Sequence, residues 1–233
     1  MEPTDVLDAI ATTRAIRRYR DEPIPDDDLA ALLFAASRAP TGSNRQNFRF
    51  VVLTDGPAAT EAKAILAASF REGWAAKRST DGYSEGSGTI EDSPKARTAR
   101  AMQYFVDNFE RTPAVVLGCI RTRHGGLADG ASIFPACQNL LLAARALGYG
   151  GVLTGWHRPV EPVLRELLGI PDDVAIAATI PLGRPQGGHG PVRRRPLREL
   201  VYADTWGGDA PWAVDPPGTR FTAAGPPTST GSG

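Results

Sequence analysis

PDDDLAALLFAASRAPTGSNRQNFRFVVLTD, residues 25–55, is the stretch from which the fold is read. Its first half reads as a helix. Asp26, Asp27 and Asp28 place negative charge on the first turn, where the helix dipole favours it. Leu29, Leu32, Leu33 and Ala36 recur at helical spacing, and Pro40 ends the run. TGSNRQN reads as a loop. FRFVVLTD, rich in aromatic and β-branched residues and bounded by turn formers, reads as a strand. Upstream, TDVLDAIATT (4–13) reads as another helix, with Val6, Leu7 and Ile10 on one face and Thr4 as its N-cap. Two helices before the first strand break a strict strand–helix–strand rhythm. The expected class is therefore α+β, a central mixed β-sheet flanked by helices.

Outward from that stretch, residues 57–78 and 95–110 read as helices. Residues 81–94, polar and rich in Gly and Ser, read as a mobile loop. TPAVVLGCI (112–120) and DVAIAATIPLG (173–183) read as buried strands, and GGVLTGW (150–156) as a short strand or extended segment. Residues 129–148 form the strongest helix, with Pro135 as a kink or a late start. PVEPVLRELLG (159–169) is a helix ending at Gly169, and PLRELV (196–201) a short helix or turn. The Gly/Pro-rich residues 207–233 cannot build a core of their own. The expected organisation is one domain over 1–206 with a C-terminal arm and tail over 207–233, GPPTSTGSG at its end being disordered.

Composition narrows the function. The 233 residues carry 26 Lys+Arg against 26 Asp+Glu, a balance that disfavours a nucleic-acid partner. No run of 18 apolar residues exists to span a membrane. The acidic, amphipathic N-terminus does not read as a signal peptide, so a cytoplasmic location is expected. Cys119 and Cys137 sit in apolar contexts that suit buried thiols better than a disulfide. His124, His157 and His189 are scattered and make no metal spacing.

Positive charge is nevertheless concentrated. TTRAIRRYR (12–20) holds Arg14, Arg17, Arg18 and Arg20, and RPQGGHGPVRRRPLREL (184–200) holds Arg193, Arg194 and Arg195. Guanidinium groups match phosphate oxygens in a two-pronged geometry, so two basic clusters in a neutral chain suggest one shared anion. Each cluster alone would pass for a solvated patch. In APTGSNRQNF (39–48), Thr41, Ser43, Asn44 and Gln46 offer donors and acceptors suited to a planar heterocycle, or to an ordinary polar turn. ALGYGGVLTGW (146–156) lacks the dinucleotide glycine spacing, and a helix precedes it where a strand is required. Gly150, Gly151 and Gly155 instead suggest backbone from Val152 to Thr154 lying against a flat ligand.

In this order, TRAIRRY, EPIP (22–25), APTGSNRQNF, QNLLLAARALGYGG, IPLGRP and RRRPLREL resemble the FMN-dependent nitroreductase family, over roughly residues 5–206. The resemblance implies an intertwined homodimer with FMN at the interface and a C-terminal arm over the partner. It implies that Arg14, Ala15 and Arg17 contact FMN, and that Thr41, Ser43 and Asn44 reach it from the partner subunit. Leu153, Thr154 and Gly155 would lie along the isoalloxazine, and Arg194, with Arg193, would hold the phosphate. Ser132 would stand near the pyrimidine edge. Ala15 replaces the family's usual serine, and Asn47-Phe48 its proline-tryptophan. Residues 70–110, with Trp74, Tyr83, Tyr104 and Phe105, are the candidate substrate lid. The implied activity is ping-pong reduction of nitroaromatics, quinones or similar small-molecule acceptors by NADPH or NADH, the flavin carrying the chemistry. The alternatives are flavin fragmentation, reductive dehalogenation, or flavin binding without catalysis.

Overall fold

The computed structural model describes residues 5–122 and 126–222. His124 and residues 225–233 lie outside them, as does Thr4. The chain divides into two compact units, Met1–His189 and Gly190–Gly233.

The first unit is built on a four-stranded sheet in the order β1-β2-β4-β3. The strands are β1 (Phe48–Leu53), β2 (Ala114–Arg121), β3 (Gly150–Gly151) and β4 (Val174–Gly183). Every pairing is antiparallel, so the sheet expected to be mixed is antiparallel among the described strands. Helices come in pairs or singly between strands, and the strands they join need not run the same way. The helices are α1 (Val6–Thr12), α2 (Asp26–Ser37), α3 (Pro57–Thr80), α4 (Pro94–Asp107), α5 (Gly126–Ala146) and α6 (Glu161–Leu168).

Helices cover both faces of the sheet, and β2 shows how. Val115, Leu117 and Cys119 point into one core with Leu66, Phe70 and Phe105 of α3 and α4. Ala114, Val116 and Ile120 point into the other with Leu32 of α2 and Leu140 of α5. This period-two alternation makes β2 a central strand, buried on both sides. Cys119 and Cys137 fall in different cores, so each is a buried free thiol. Burial pushes their pKa values up, to about 11 and about 12.

β4 carries a bulge. Gly118 pairs with Ala178 but Cys119 pairs with Ile176, leaving Ala177 without a partner. One extra residue reverses the facing of all that follows. Val174 and Ile176 accordingly face the α3 side, whereas Ala178, Ile180 and Leu182 face the α2 and α5 side.

Three local expectations are corrected. The α1 cap is Asp5, whose carboxylate accepts from the Leu7 and Asp8 N–H groups at 2.7 and 3.3 Å. The long helix starts earlier than expected, at Gly126, and runs through Pro135 without ending. Of the supposed lid aromatics, Trp74 and Phe105 are core residues, and Tyr83 packs edge-on against Trp74 at 5.1 Å. Tyr104 and the inner edge of Phe105 line a cavity beside Arg17.

In the second unit a short 3-10 turn, Leu197–Glu199, follows Pro196. The chain then folds back on itself: Arg194 forms a parallel bridge with Phe221, and the Asp215 carboxylate accepts from the Leu197 N–H. Trp206 and Trp212 are largely exposed in the isolated chain.

Candidate functional site

The arginine stretch is an added edge of the sheet. After α1 the backbone extends, and the Ile16 N–H donates to the Gly151 carbonyl at 3.0 Å. Tyr19 bridges to Pro185, Arg20 N–H donates to Arg184 O at 2.8 Å, and Gln186 N–H donates to Arg18 O at 2.9 Å. The buried Tyr19 hydroxyl is shared between the carbonyls of Ile16 (2.6 Å) and Pro181 (3.2 Å). Burial raises its pKa beyond the ordinary tyrosine range, so it stays a neutral donor.

Gly150 and Gly151 serve this packing rather than a ligand. A Cβ on Gly150 would lie 2.5 Å from Ile16 Cγ1, and one on Gly151 would lie 2.6 Å from Leu182 Cδ2. The expectation that both glycines make room for a flat ligand is thus corrected: side chains of the protein fill that space. At Gly155 a Cβ would meet nothing closer than 3.6 Å.

Between the arginine stretch, α4 and the Pro185–Gly188 loop lies a cleft of about 590 Å³. Arg14, Ala15, Arg17 and Arg18 line one side, and Arg97 and Thr98 of α4 another. No carboxylate lines it. Among the described residues, none of its four arginines forms an ion pair. Arg17 is half-buried and also lines an adjoining cavity of about 160 Å³ with Tyr104, Asn108 and Gln186. Burial lowers its pKa from the usual arginine value, and Arg14 adds to the lowering. A desolvated cation without an anion is costly, and an anionic ligand would relieve that cost.

Leu153, Thr154 and Gly155 continue from β3. Thr154 and Thr179 exchange backbone hydrogen bonds at 3.0 and 2.9 Å. The Thr154 hydroxyl accepts from the Trp156 N–H at 3.3 Å. Leu153 is 40% exposed, an apolar side chain offered at the surface. Beneath this turn, His157 is fully buried between Ile176 O (2.7 Å) and the Thr179 hydroxyl (3.0 Å). Burial lowers its pKa, so it is a neutral packing group. Among the described residues no cluster of His, Cys, Asp or Glu is placed to hold a metal ion.

A second group stands apart. The loop after α2 turns through Ser43, Asn44 and Gln46, all with positive φ (53°, 51° and 49°). Thr41 Oγ1 accepts from the Gln46 N–H at 3.0 Å, and buried Ser132 of α5 accepts from the Gly42 N–H at 3.4 Å. Thr41, Ser43, Asn44 and Ser132 are thus one neighbourhood. No hydrogen bond among the described residues joins it to Arg14, Ala15 or Arg17. Arg193 and Arg194 belong to the second unit, where the Arg194 guanidinium donates to its neighbour's carbonyl at 2.8 Å.

Arg97 and Thr98 fall within the 70–110 segment expected as a substrate lid, but the sequence did not single them out. Their only signal is a basic residue on the exposed face of a helix, which the sequence repeats at Arg100.

The family model described as the nitroreductase family matches residues 10–184. The chain belongs to the nitroreductase family, a family of oxidoreductases. A protein of Archaeoglobus fulgidus assigned as an NADH dehydrogenase/NAD(P)H nitroreductase is 29% identical over 191 residues, spanning 78% of this chain and 86% of its own. A nitroreductase-like protein from Desulfovibrio desulfuricans, solved in complex with FMN, is 26% identical with a TM-score of 0.61, covering 87% of this chain and 98% of its own. A mutant FMN- and NADPH-dependent nitroreductase derived from Sphigopyxis sp. strain HMH shares the fold, with a TM-score of 0.67 at 21% identity, over 87% of this chain and all of its own (100%). No helix among the described residues is long and apolar enough to cross a membrane.

Proposed function

We propose that this protein is an FMN-dependent NAD(P)H oxidoreductase that reduces nitroaromatics, quinones or similar small acceptors. The observation that carries the reading is the cleft lined by four arginines and no carboxylate, in a chain of the nitroreductase family. The residues fit a flavin mononucleotide. Half-buried Arg17 lacks an anion, Arg14 is exposed beside it, and the exposed Leu153 offers an apolar surface to a flat ring. Arg14, Ala15 and Arg17 would hold the phosphate and ribityl end, and Arg194 with Arg193 is likewise proposed as a phosphate ligand. Leu153, Thr154 and Gly155 would support the isoalloxazine.

Bound FMN supplies the capacity to accept hydride and pass it on. The protein binds and orients. Guanidinium groups fix the phosphate by charge-assisted hydrogen bonds. A positive residue or a backbone N–H near the pyrimidine edge would favour negative charge there. No side chain of the cleft is assigned as general acid or base, because the flavin would carry the chemistry. One mouth serves donor and acceptor in turn, which gives ping-pong kinetics.

The site is proposed to be completed in a homodimer. Val6, Leu7 and Ile10 of α1 and Phe34 of α2 expose large apolar side chains that a second copy would cover. Thr41, Ser43, Asn44 and Ser132 would then reach the partner's flavin, and the C-terminal arm would lie over the partner. A cytoplasmic location fits two reduced thiols. The test is the visible spectrum of the purified protein and its anaerobic bleaching by NADPH and by NADH. A colourless protein that does not take up added FMN overturns the proposal.

A further inference from the structure

The cleft holds more positive charge than one cofactor phosphate neutralises. A phosphate monoester carries about −1.5 to −2 charges at neutral pH. Arg14 and Arg17, on the sheet edge, are enough to match it. Arg18 and Arg97 remain. The Arg18 guanidinium lies over the Tyr104 ring, 4.7 Å from its centroid. Arg97 donates to the carbonyl of Asp92. Both are held by neutral groups, a ring face and a backbone oxygen, so each is positioned while its charge stays uncompensated. Both are exposed at the cleft, Arg18 on the arginine stretch and Arg97 on α4.

We infer that Arg18 and Arg97 recognise an anionic group, a carboxylate or a phosphate, on the substrate that enters this cleft. The inference rests on the flavin reading above and adds the substrate class. Two substrates could bring that group. One is the nicotinamide donor, through the 2′-phosphate that distinguishes NADPH from NADH. The other is the electron acceptor, through an acid group on its ring. A guanidinium binds either in the same two-pronged way.

The experiment compares wild type with Arg97→Ala, Arg18→Ala and Arg97→Lys. FMN content is measured first. Then kcat/KM is measured for 4-nitrobenzoate against nitrobenzene, and for NADPH against NADH with the neutral acceptor. Each alanine variant is expected to lower one of these two ratios about tenfold, the loss of one charge-assisted hydrogen bond. Arg97→Lys should restore only part of the Arg97→Ala loss, returning the charge without the two-pronged geometry. A fall in the acceptor ratio assigns the anion to the acceptor, and a fall in the donor ratio assigns it to NADPH. In the wild-type protein the same ratio should decline with added NaCl. Both ratios staying within about twofold of wild type overturns the inference, because a merely structural role lowers both members of a pair together. Loss of FMN from Arg97→Ala also overturns it, assigning Arg97 to the cofactor while the flavin reading stands. Wild type without FMN or nicotinamide oxidation overturns both.

Discussion

Ile16 lies so close to Gly150 that a β-carbon on the glycine would sit 2.5 Å from Ile16 Cγ1, while the Ile16 N–H binds the next residue's carbonyl at 3.0 Å. The arginine stretch is therefore docked side chain into backbone, with no room between. Arg14 and Arg17, on either side of Ile16, take their positions from this contact.

Gly150→Ala should push the stretch off the sheet edge. The expected cost is about 1–3 kcal/mol of stability, the usual range for overpacking a filled site. FMN content should fall with it. Denaturant unfolding and the flavin absorbance of the purified variant measure the two effects.

Arg17→Met should separate folding from binding. In the flavin-free protein it removes a half-buried cation that lacks a counter-charge, so Tm should hold or rise. Saturating FMN should then raise Tm less than in wild type, since ligand stabilisation follows occupancy. A variant whose apo Tm drops sharply would show that Arg17 is held by the fold rather than reserved for an anion.

His157 should make stability depend on pH. Its folded pKa is lowered by burial from the ordinary 6.5, so the unfolded chain binds the proton more readily. Its contribution is complete above pH 6.5 and is lost as pH falls from there through the lowered folded value. Tm should decline between neutral and mildly acidic pH. His157→Gln can donate to Ile176 O and accept from Thr179, and it should flatten that decline.

Ile10→Glu should test the dimer. Ile10 is 54% exposed in the isolated chain and lies beside Val6 and Leu7 on α1. A carboxylate there should leave the monomer folded and shift its sedimentation toward one chain. If the cofactor is shared between subunits, bound FMN falls in parallel. An unchanged dimer places the interface elsewhere.

Periodicity made most of the elements legible. FRFVVL and AVVLGCI could be little but strands, and the leucines of α2 could be little but helix. Strand direction was not legible, because a sequence does not show which way a chain re-enters a sheet. Pro135 does not mark a late start for a local reason: a proline gives up one hydrogen bond, and α5, buried through Ile133, Ala136 and Cys137, is held by packing on either side of that gap. The glycines at 150 and 151 looked like ligand space because close approach of a side chain and of a ligand leave the same trace. The arginine stretch was legible as a cluster. Its partner Arg97 was not, since one arginine on a helix surface looks like any other until the fold puts it across a cleft.

The unpaired Ala177 has a consequence for how this sequence can diverge. A volume-conserving apolar substitution along β4 alters only local packing, but removing one residue on either side of the bulge would exchange inside for outside over half the strand. It would also slide Thr179 away from Thr154. Descendants of this chain can therefore exchange one apolar residue for another of similar volume here, but must keep the spacing between Val174 and Gly183 invariant in length.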